Sequence, residues 1–336
     1  ATRCRDTALR ARALAALGGA LVHAARGRDE EGAVVLHQAI ELARAAGDRS
    51  TVVTAQRELG FVEVQAGRRT TAESWLSQAH ALAETDAEVA AVLGVRGMNA
   101  SDEGRYAVAI GYLEESIERS ASCADDRQRA WSLSILARAH LLRAEYSQAA
   151  AAVAGSLELI ERQRWLAFLP WPQALRAELD LLAGDIDTAS DRLERAWALA
   201  CQLDDPCWEG MTARGLGLLN VARGDHEAAT SWLAEAAARS NRVPDRYQWV
   251  HGYVLDALIT TTLDADDEVR AAPLVTTLGA LAARGQMREL VVRAHLHRHR
   301  LGDSTALAAA RLLAVDVDNP ALGDLLGGVR PAGQRA

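Results

Sequence analysis

The sequence predicts an all-α fold, a right-handed superhelix (α-solenoid) of about eight helix–turn–helix units. Three observations predict it. Small residues interrupt a helical pattern at nearly constant spacing, apolar residues recur at helical spacing on both sides of each interruption, and runs typical of strands are almost absent. A regular period of about 20–50 residues indicates stacked units that bury their apolar sides only against their neighbours.

The interruptions, which we call breaks, define the units. They lie near residues 27, 67, 104, 144, 184 and 224, at spacings of 40, 37, 40, 40 and 40, and the same step reaches 264 and 302. Glycine at most breaks favours a helix C-terminus, because it adopts a left-handed backbone conformation without a steric penalty. We expect one solenoid domain over residues 1–326 and a flexible tail over 327–336.

Each unit is predicted to hold two amphipathic helices. In the fifth unit they cover about Pro172–Ala183 and Ile186–Gln202, and Leu193 and Ala196 belong to the buried stripe of the second. The aspartate after a break, as at Asp185, is expected to cap the next helix. Acidic pairs in other turns, at 125–126, 204–205 and 266–267, are expected to cap helices as well. The first helices would line a concave face and the second helices the outer face.

Composition excludes several classes of function. The chain has 37 basic residues, all of them arginine, and 45 acidic residues. The resulting net charge of −8 argues against direct nucleic-acid binding, which needs a positive field. Without lysine there is no Schiff-base chemistry and no phosphate-loop lysine. No apolar run is long enough to span a membrane, and four scattered cysteines are typical of reduced thiols in the cytoplasm.

Neither a catalytic site, nor a cofactor, nor a metal is predicted. The sequence lacks G-x-S-x-G, H-E-x-x-H and a GxGxxG turn after a strand. His295 and His299 share a helix face at a spacing compatible with metal binding, with Asp303 as a third ligand. Flanking arginines oppose a cation, however, so we favour a solvated helix face for His295, His297 and His299.

Aromatic and charged residues on the first helices are the candidate ligand-binding residues. Trp131 and Trp171 occupy positions expected to face the concave groove, where aromatic side chains make good anchors, and core packing is the equal alternative. The remaining candidates are polar residues of the groove, namely Arg138, Arg176, Glu178, Asp180, Arg214 and His251. For Arg176 and Asp180, a structural ion pair is the favoured alternative, since buried charge is costly unless it is paired.

A second aromatic set lies close to the starts of first helices. Its members are Trp165, Phe168, Trp208, Trp249 and Tyr253. The segment 163–172 is the most apolar loop of the predicted fold and contains two prolines, which restrict its backbone. We expect this segment to form a lip over the groove.

The repeat resembles the tetratricopeptide repeat. That family places a leucine and a small residue within the first helix, as at Leu59-Gly60, an aromatic residue after the break, as at Tyr106, and alanine in the second helix, as at Ala72. Units of about 40 rather than about 34 residues resemble the sensor regions of large bacterial signalling ATPases, including maltose-regulator and LuxR-type transcription activators. The resemblance implies a repeat region that receives an effector or partner and controls a switch elsewhere.

We therefore predict a cytoplasmic binding domain, not an enzyme, whose concave groove takes a protein partner, a peptide or a small-molecule effector. The sequence starts without a methionine or an apolar signal core, so we expect a segment of a larger bacterial regulator. The first alternative is a structural scaffold that self-associates through its end repeats. A less favoured alternative is an enzyme with a polar pocket around Arg176 and Asp180.

Overall fold

The computed structural model describes residues 6–24, 27–242 and 247–328, and over these residues it is helical with no strand. The helices are α1 (Thr7–His23), α2 (Asp29–Ala46), α3 (Arg49–Gln65), α4 (Arg69–Leu82), α5 (Asp86–Glu103), α6 (Tyr106–Ser122), α7 (Asp126–Leu142), α8 (Tyr146–Gln163), α9 (Pro170–Leu182), α10 (Ile186–Leu203), α11 (Pro206–Ala222), α12 (His226–Ser240), α13 (Gln248–Asp264), α14 (Glu268–Arg284), α15 (Arg288–Arg300), α16 (Ala306–Ala314) and α17 (Pro320–Gly328). The predicted all-α solenoid is confirmed: consecutive helices pair as eight units, and α17 follows the last of them.

The predicted breaks are the turns inside the helix pairs. Six of them contain a left-handed glycine with φ between 74° and 95°: Gly27, Gly67, Gly104, Gly184, Gly224 and Gly302. Ala144 takes this conformation at the fourth break, and at the seventh the left-handed residue is Asp266, two positions after the predicted 264. Helix α17 includes residues 327 and 328, which the sequence places in the tail, and the rest of the predicted tail lies outside the described residues.

Aspartate side chains cap many of these helices. The carboxylate of Asp185 accepts the backbone N–H of Thr188 at 3.3 Å. The acidic pairs have the predicted role, because one member of each, Asp125, Asp205 or Asp267, caps α7, α11 or α14. Each cap satisfies an N–H group that the first turn of a helix leaves without a partner.

Glycines on the first helices let the two helices of a unit approach closely. A Cβ atom added at Gly60 would lie 2.6 Å from the Leu76 side chain, and one added at Gly97 would lie 2.5 Å from Leu113. Both leucines are fully buried. The small residue of the tetratricopeptide-like pattern is therefore required by the leucine of the partner helix, and substitution by a larger residue would push the pair apart.

The superhelix closes on itself. The turn between α14 and α15 reaches the start of α4, where the Arg69 guanidinium donates to the Gly285 carbonyl at 3.2 Å. The turn after α16 reaches the start of α6, where the Tyr106 backbone N–H donates to the Asp318 carboxylate at 2.5 Å. Units 7 and 8 therefore meet units 2 and 3 across the concave side. None of the helices in the described part of the chain is both long and apolar enough to span a bilayer.

Candidate functional site

One cavity of about 410 Å³ lies on the concave side, lined by odd-numbered helices, by residues at their starts and by the turn before α9. We call it the aromatic cavity. Its aromatic lining residues are Phe61, Trp131, Trp165, Phe168, Trp171, Trp208 and Tyr247. The chain has 8 Trp, 5 Tyr and 2 Phe, so nearly half of its aromatic residues, including both Phe, line this one space.

Four of these rings form a continuous wall. The Trp165 ring stacks on Phe168 with centroids 4.6 Å apart, and the Phe168 ring meets Trp208 edge-on at 5.6 Å. Trp208 lies 5.7 Å from Trp171, and its indole N–H donates to the Ala167 carbonyl at 3.0 Å. Because the rings hold one another in place, the wall is formed before any ligand arrives.

Two rings of this wall, Trp165 and Phe168, lie in the turn at 164–169. This turn belongs to the segment 163–172, which the sequence predicts to form a lip over the groove. Helix α8 ends with a left-handed residue, Arg164, and two prolines occupy the first turn of α9. Proline suits that position because its missing N–H would have no helical partner there. A neighbouring ring, Trp131, has room because residue 94 is glycine: a Cβ atom at Gly94 would lie 2.9 Å from the indole.

His23 and Phe61 lie elsewhere on the cavity lining, with ring centroids 4.8 Å apart. The His23 Nε2 atom lies 2.7 Å from the buried carboxylate of Glu58, which also pairs with Arg57. Burial acts to raise the pKa of Glu58, but the nearby Arg57 and His23 outweigh burial and lower that pKa to about 2. Glu58 is therefore ionised at neutral pH and holds both basic partners.

Away from the cavity, buried and half-buried charged residues and tyrosines from several helices fill the concave space. We call this region the polar core, and its members are Arg69, Asp102, Tyr106, Arg138, Glu178, Arg214, Tyr247, Tyr253, Asp256, Glu289, Arg293 and His297. Asp102 binds three of the other members. Its oxygens lie 2.9 Å from Arg69 and 2.7 Å from Arg138, and it accepts the Tyr247 hydroxyl at 2.8 Å. These contacts join α4, α5 and α7 to the start of α13.

A stack of rings and guanidinium groups continues from Arg138. Its guanidinium lies 4.2 Å from the centre of the Trp249 ring, which stacks on Tyr253 at 4.8 Å. Arg214 lies 3.7 Å from the Tyr253 ring and donates to both oxygens of Glu178, at 2.8 and 3.1 Å. Bidentate pairing and cation–π contact together replace the water that these arginines lose on burial.

The far end of the polar core lies between α6, α13 and α15. Asp256 lies 3.2 Å from Arg293 and 2.7 Å from His297, and the Tyr106 hydroxyl donates to Glu289 at 2.6 Å. Burial acts to raise the pKa of Asp256, but Arg293 and His297 outweigh burial and hold that pKa at about 2. All of these charges are therefore paired inside the molecule.

Five of the eight predicted site residues lie in these two regions. Trp131 and Trp171 line the aromatic cavity, and Trp171 is also buried in the core, as the packing alternative predicts for it. Arg138, Glu178 and Arg214 lie in the polar core and are absent from the cavity lining. Their charges are neutralised by one another or by residues of other repeats.

The other three predicted residues lie away from the cavity lining. Arg176 donates to Asp180 at 2.8 Å, and Arg192 of the next helix binds the second carboxylate oxygen at 2.9 Å. These contacts form the structural ion pair, extended by a third charge. His251 is buried, with its Nδ1 atom 3.1 Å from the Ser240 hydroxyl.

The expected solvated histidine face on α15 is wrong for two of its three residues. His297 and His299 are buried, because α15 packs between α13 on one side and α16 on the other. His297 bonds to Asp256, and the His299 Nδ1 atom lies 3.3 Å from the Asp303 carbonyl. Within the described ranges, no cluster of histidine, cysteine and carboxylate side chains has a geometry that would hold a metal ion.

Several lining residues of the cavity are missed by sequence reasoning, among them His23, Phe61, Arg127 and Tyr247. Phe61 carries a signal, since it follows the Leu59-Gly60 pair in a chain with only two Phe. Tyr247 carries none, because it precedes its helix and its hydroxyl bonds to Asp102, 145 residues earlier. A wider depression of about 670 Å³ lies on the side of α12 and α14, but its lining contains no aromatic residue.

No protein-family model and no curated protein sequence matches the chain. Solved structures do match it. Rap protein complexed with competence and sporulation factor aligns over 95% of this chain and 90% of its own, with a TM-score of 0.73 and 14% identity. NprR in complex with its cognate peptide NprX aligns over 94% and 91%, with a TM-score of 0.69 and 12% identity. Aspartyl phosphate phosphatase F from Bacillus subtilis aligns over 83% and 70%, with a TM-score of 0.59 and 11% identity. At these identities the likeness shows a shared fold of stacked helix pairs.

Proposed function

We propose that the chain is a peptide-binding repeat domain and that a short peptide lies in the aromatic cavity. The concentration of seven aromatic residues around one open space carries this proposal. Aromatic side chains offer a large rigid contact area at a low cost in conformational entropy, and they dominate binding when they are desolvated. Trp131, Trp165 and Trp208 are only partly buried without a ligand, so each has apolar surface left to cover.

The lining also supports a peptide as the occupant. A volume of about 410 Å³ lies in the lower part of the range of small-ligand sites, which favours a short chain over a folded partner. The side chains of Gln65 and Gln128 line the cavity and supply both donors and acceptors for peptide groups. Two proteins of similar fold, Rap and NprR, are complexed with a competence and sporulation factor and with a cognate peptide, which supports the same ligand class here.

The test is capture of peptides from a defined mixture of tetra- to hexapeptides, followed by mass spectrometry of the peptides that coelute with the protein. Trp131→Leu is expected to weaken binding of the captured peptides by about 30-fold or more, as for a central aromatic anchor. Trp75→Leu is the matched control, since Trp75 lies on α4, packs 5.4 Å from His37 and is absent from the cavity lining. Failure of the wild type to retain any peptide, or equal binding by both variants, would contradict the proposal.

We further propose that this domain is the sensor of a larger bacterial regulator and binds its effector without catalysis. The phrase Gly-Asp-x-x-x-Ala, at 184–189 and 224–229, supports this because it resembles sensor regions of signalling ATPases. The paired charges around Arg176 and Asp180 support a structural rather than a catalytic role there. Determining the full-length gene product tests the proposal: a nucleotide- or DNA-binding domain in it is expected, and a product made of these repeats alone would contradict it.

A further inference from the structure

Most of the ionisable groups on the cavity lining already have a partner within the protein. Glu58 is paired with Arg57 and His23. Asp125 accepts the Gln128 backbone N–H at 3.0 Å and caps α7, which offsets part of its charge through the helix dipole. Asp205 caps α11 in the same way, by accepting the N–H groups of the first two residues after Pro206.

Arg127 differs from all of these groups. It lies in the first turn of α7 on the cavity lining, and its side chain is exposed. Its guanidinium lies 5.6 Å from the centre of the Trp165 ring, and within the described residues it has neither an ion pair nor a hydrogen bond. The nearby carboxylate of Asp126 is bonded instead to Arg162 at 3.2 Å and to Gln163 at 3.1 Å. Arg127 is thus an uncommitted positive charge placed beside the aromatic wall.

We propose that Arg127 determines specificity by receiving the C-terminal carboxylate of the bound peptide. Guanidinium and carboxylate groups match geometrically and form two parallel hydrogen bonds. A terminal carboxylate shares its Cα atom with the last side chain, so an apolar side chain can cover the aromatic wall while the carboxylate meets Arg127 a few ångströms away. The cation–π contact between Arg127 and the Trp165 ring favours a position of the guanidinium beside the wall. This inference rests on the proposed peptide-binding function and names the chemistry of the ligand's end.

Three mixtures of N-acetylated tetrapeptides test it, with the full chain and mass spectrometry of retained peptides. The first contains neutral residues and a free C-terminal carboxylate, the second is the same set as C-terminal amides, and the third is an amide set with one Asp or Glu in each peptide. We expect retention from the first mixture, with binding about 10- to 100-fold weaker for the matching amides, as for loss of a charge-assisted hydrogen bond.

The other outcomes are distinguishable. Equal retention of acids and amides would overturn the role of Arg127 and leave peptide binding intact. Retention from the third mixture alone would overturn the assignment to the C-terminus, because the carboxylate would then come from a side chain. If no mixture is retained, the proposed function fails and this inference fails with it.

Variants of Arg127 give the second arm of the test. Arg127→Gln is expected to abolish the difference between acid and amide peptides, whereas Arg127→Lys keeps part of it through charge alone. Arg195→Gln is the matched control, because Arg195 is exposed on α10, lies 3.7 Å from Asp191 and is absent from the cavity lining. Unfolding midpoints are recorded for all three. An Arg127→Gln protein that folds and still prefers acids would contradict the proposal.

Discussion

The aromatic cavity and the polar core are built by the same helices, yet they contain opposite kinds of surface. On α7, Trp131 lines the cavity, and Arg138, seven residues later on the same face, is fully buried in the polar core. On α9, Trp171 and Glu178 show the same spacing. Position along the helix therefore decides whether a concave-face residue meets an open space or the opposite side of the superhelix.

The difference between the two regions shows that closure of the superhelix removes water from some charged side chains and not from others. An arginine that faces solvent keeps its water and remains available to a ligand, as Arg127 does. An arginine that faces units 7 and 8 loses that water, and the energetic cost is offset only by a partner such as Asp102. We therefore expect the paired charges of the polar core to stabilise the closed superhelix, and under the proposed function the ligand contacts come from the aromatic cavity.

The largest effect is expected when the centre of the polar core loses its charge. Asp102→Asn leaves the buried guanidinium groups of Arg69 and Arg138 without a counter-charge and is expected to lower the free energy of unfolding by about 3–5 kcal/mol. Urea unfolding followed by circular dichroism measures it. Asp191→Asn, at an exposed pair, is the control and is expected to change it by under about 1 kcal/mol. A loss at Asp102 no greater than that of the control would show that closure does not depend on the polar core.

The fold is predictable from the sequence because its elements depend on residues that are close together in the chain. Breaks, caps such as Asp185 and the Leu59-Gly60 pair all depend on residues within one unit or the next, so the period predicts them. Closure depends instead on contacts such as that between Tyr106 and Asp318, which are 212 residues apart. A contact between residues so distant in the sequence cannot be predicted from a local pattern. Trp131 and Arg138 therefore appear equivalent in the sequence, and only the closed superhelix separates their roles.

An intermediate effect is expected at Tyr247, which belongs to both regions. Its ring lines the aromatic cavity, and its hydroxyl bonds to Arg138 and Asp102 at 2.8 Å. Tyr247→Phe keeps the ring and removes the buried hydroxyl, so we expect a loss of about 1–3 kcal/mol in unfolding free energy with peptide binding retained. Tyr146→Phe, at a partly exposed ring on α8, is the control for stability. Loss of binding together with stability would show that the two regions are not separable.

The smallest effect is expected at Glu58, a buried carboxylate of the cavity lining. Glu58→Gln removes the partner of Arg57 and His23, but both of these side chains reach water, which compensates for part of the loss. We expect a decrease of about 1–2 kcal/mol in unfolding free energy at pH 7, below that of Asp102→Asn. Glu158→Gln, at a highly exposed carboxylate of α8, is the control.

The pH dependence of this decrease identifies its cause. The pKa of Glu58 in the folded chain, about 2, lies below its ordinary value of 4.5, so the carboxylate stabilises the fold fully above pH 4.5 and progressively less as the pH falls toward 2. Unfolding curves of wild type and Glu58→Gln are therefore expected to differ most above pH 5, to approach each other as the pH falls below 4.5, and to converge only near pH 2. A difference that stays constant over this range would mean that the carboxylate acts through its shape and packing. In that case the ion pairs of Glu58 would not stabilise the fold, in contrast to the ion pairs expected to stabilise it in the polar core.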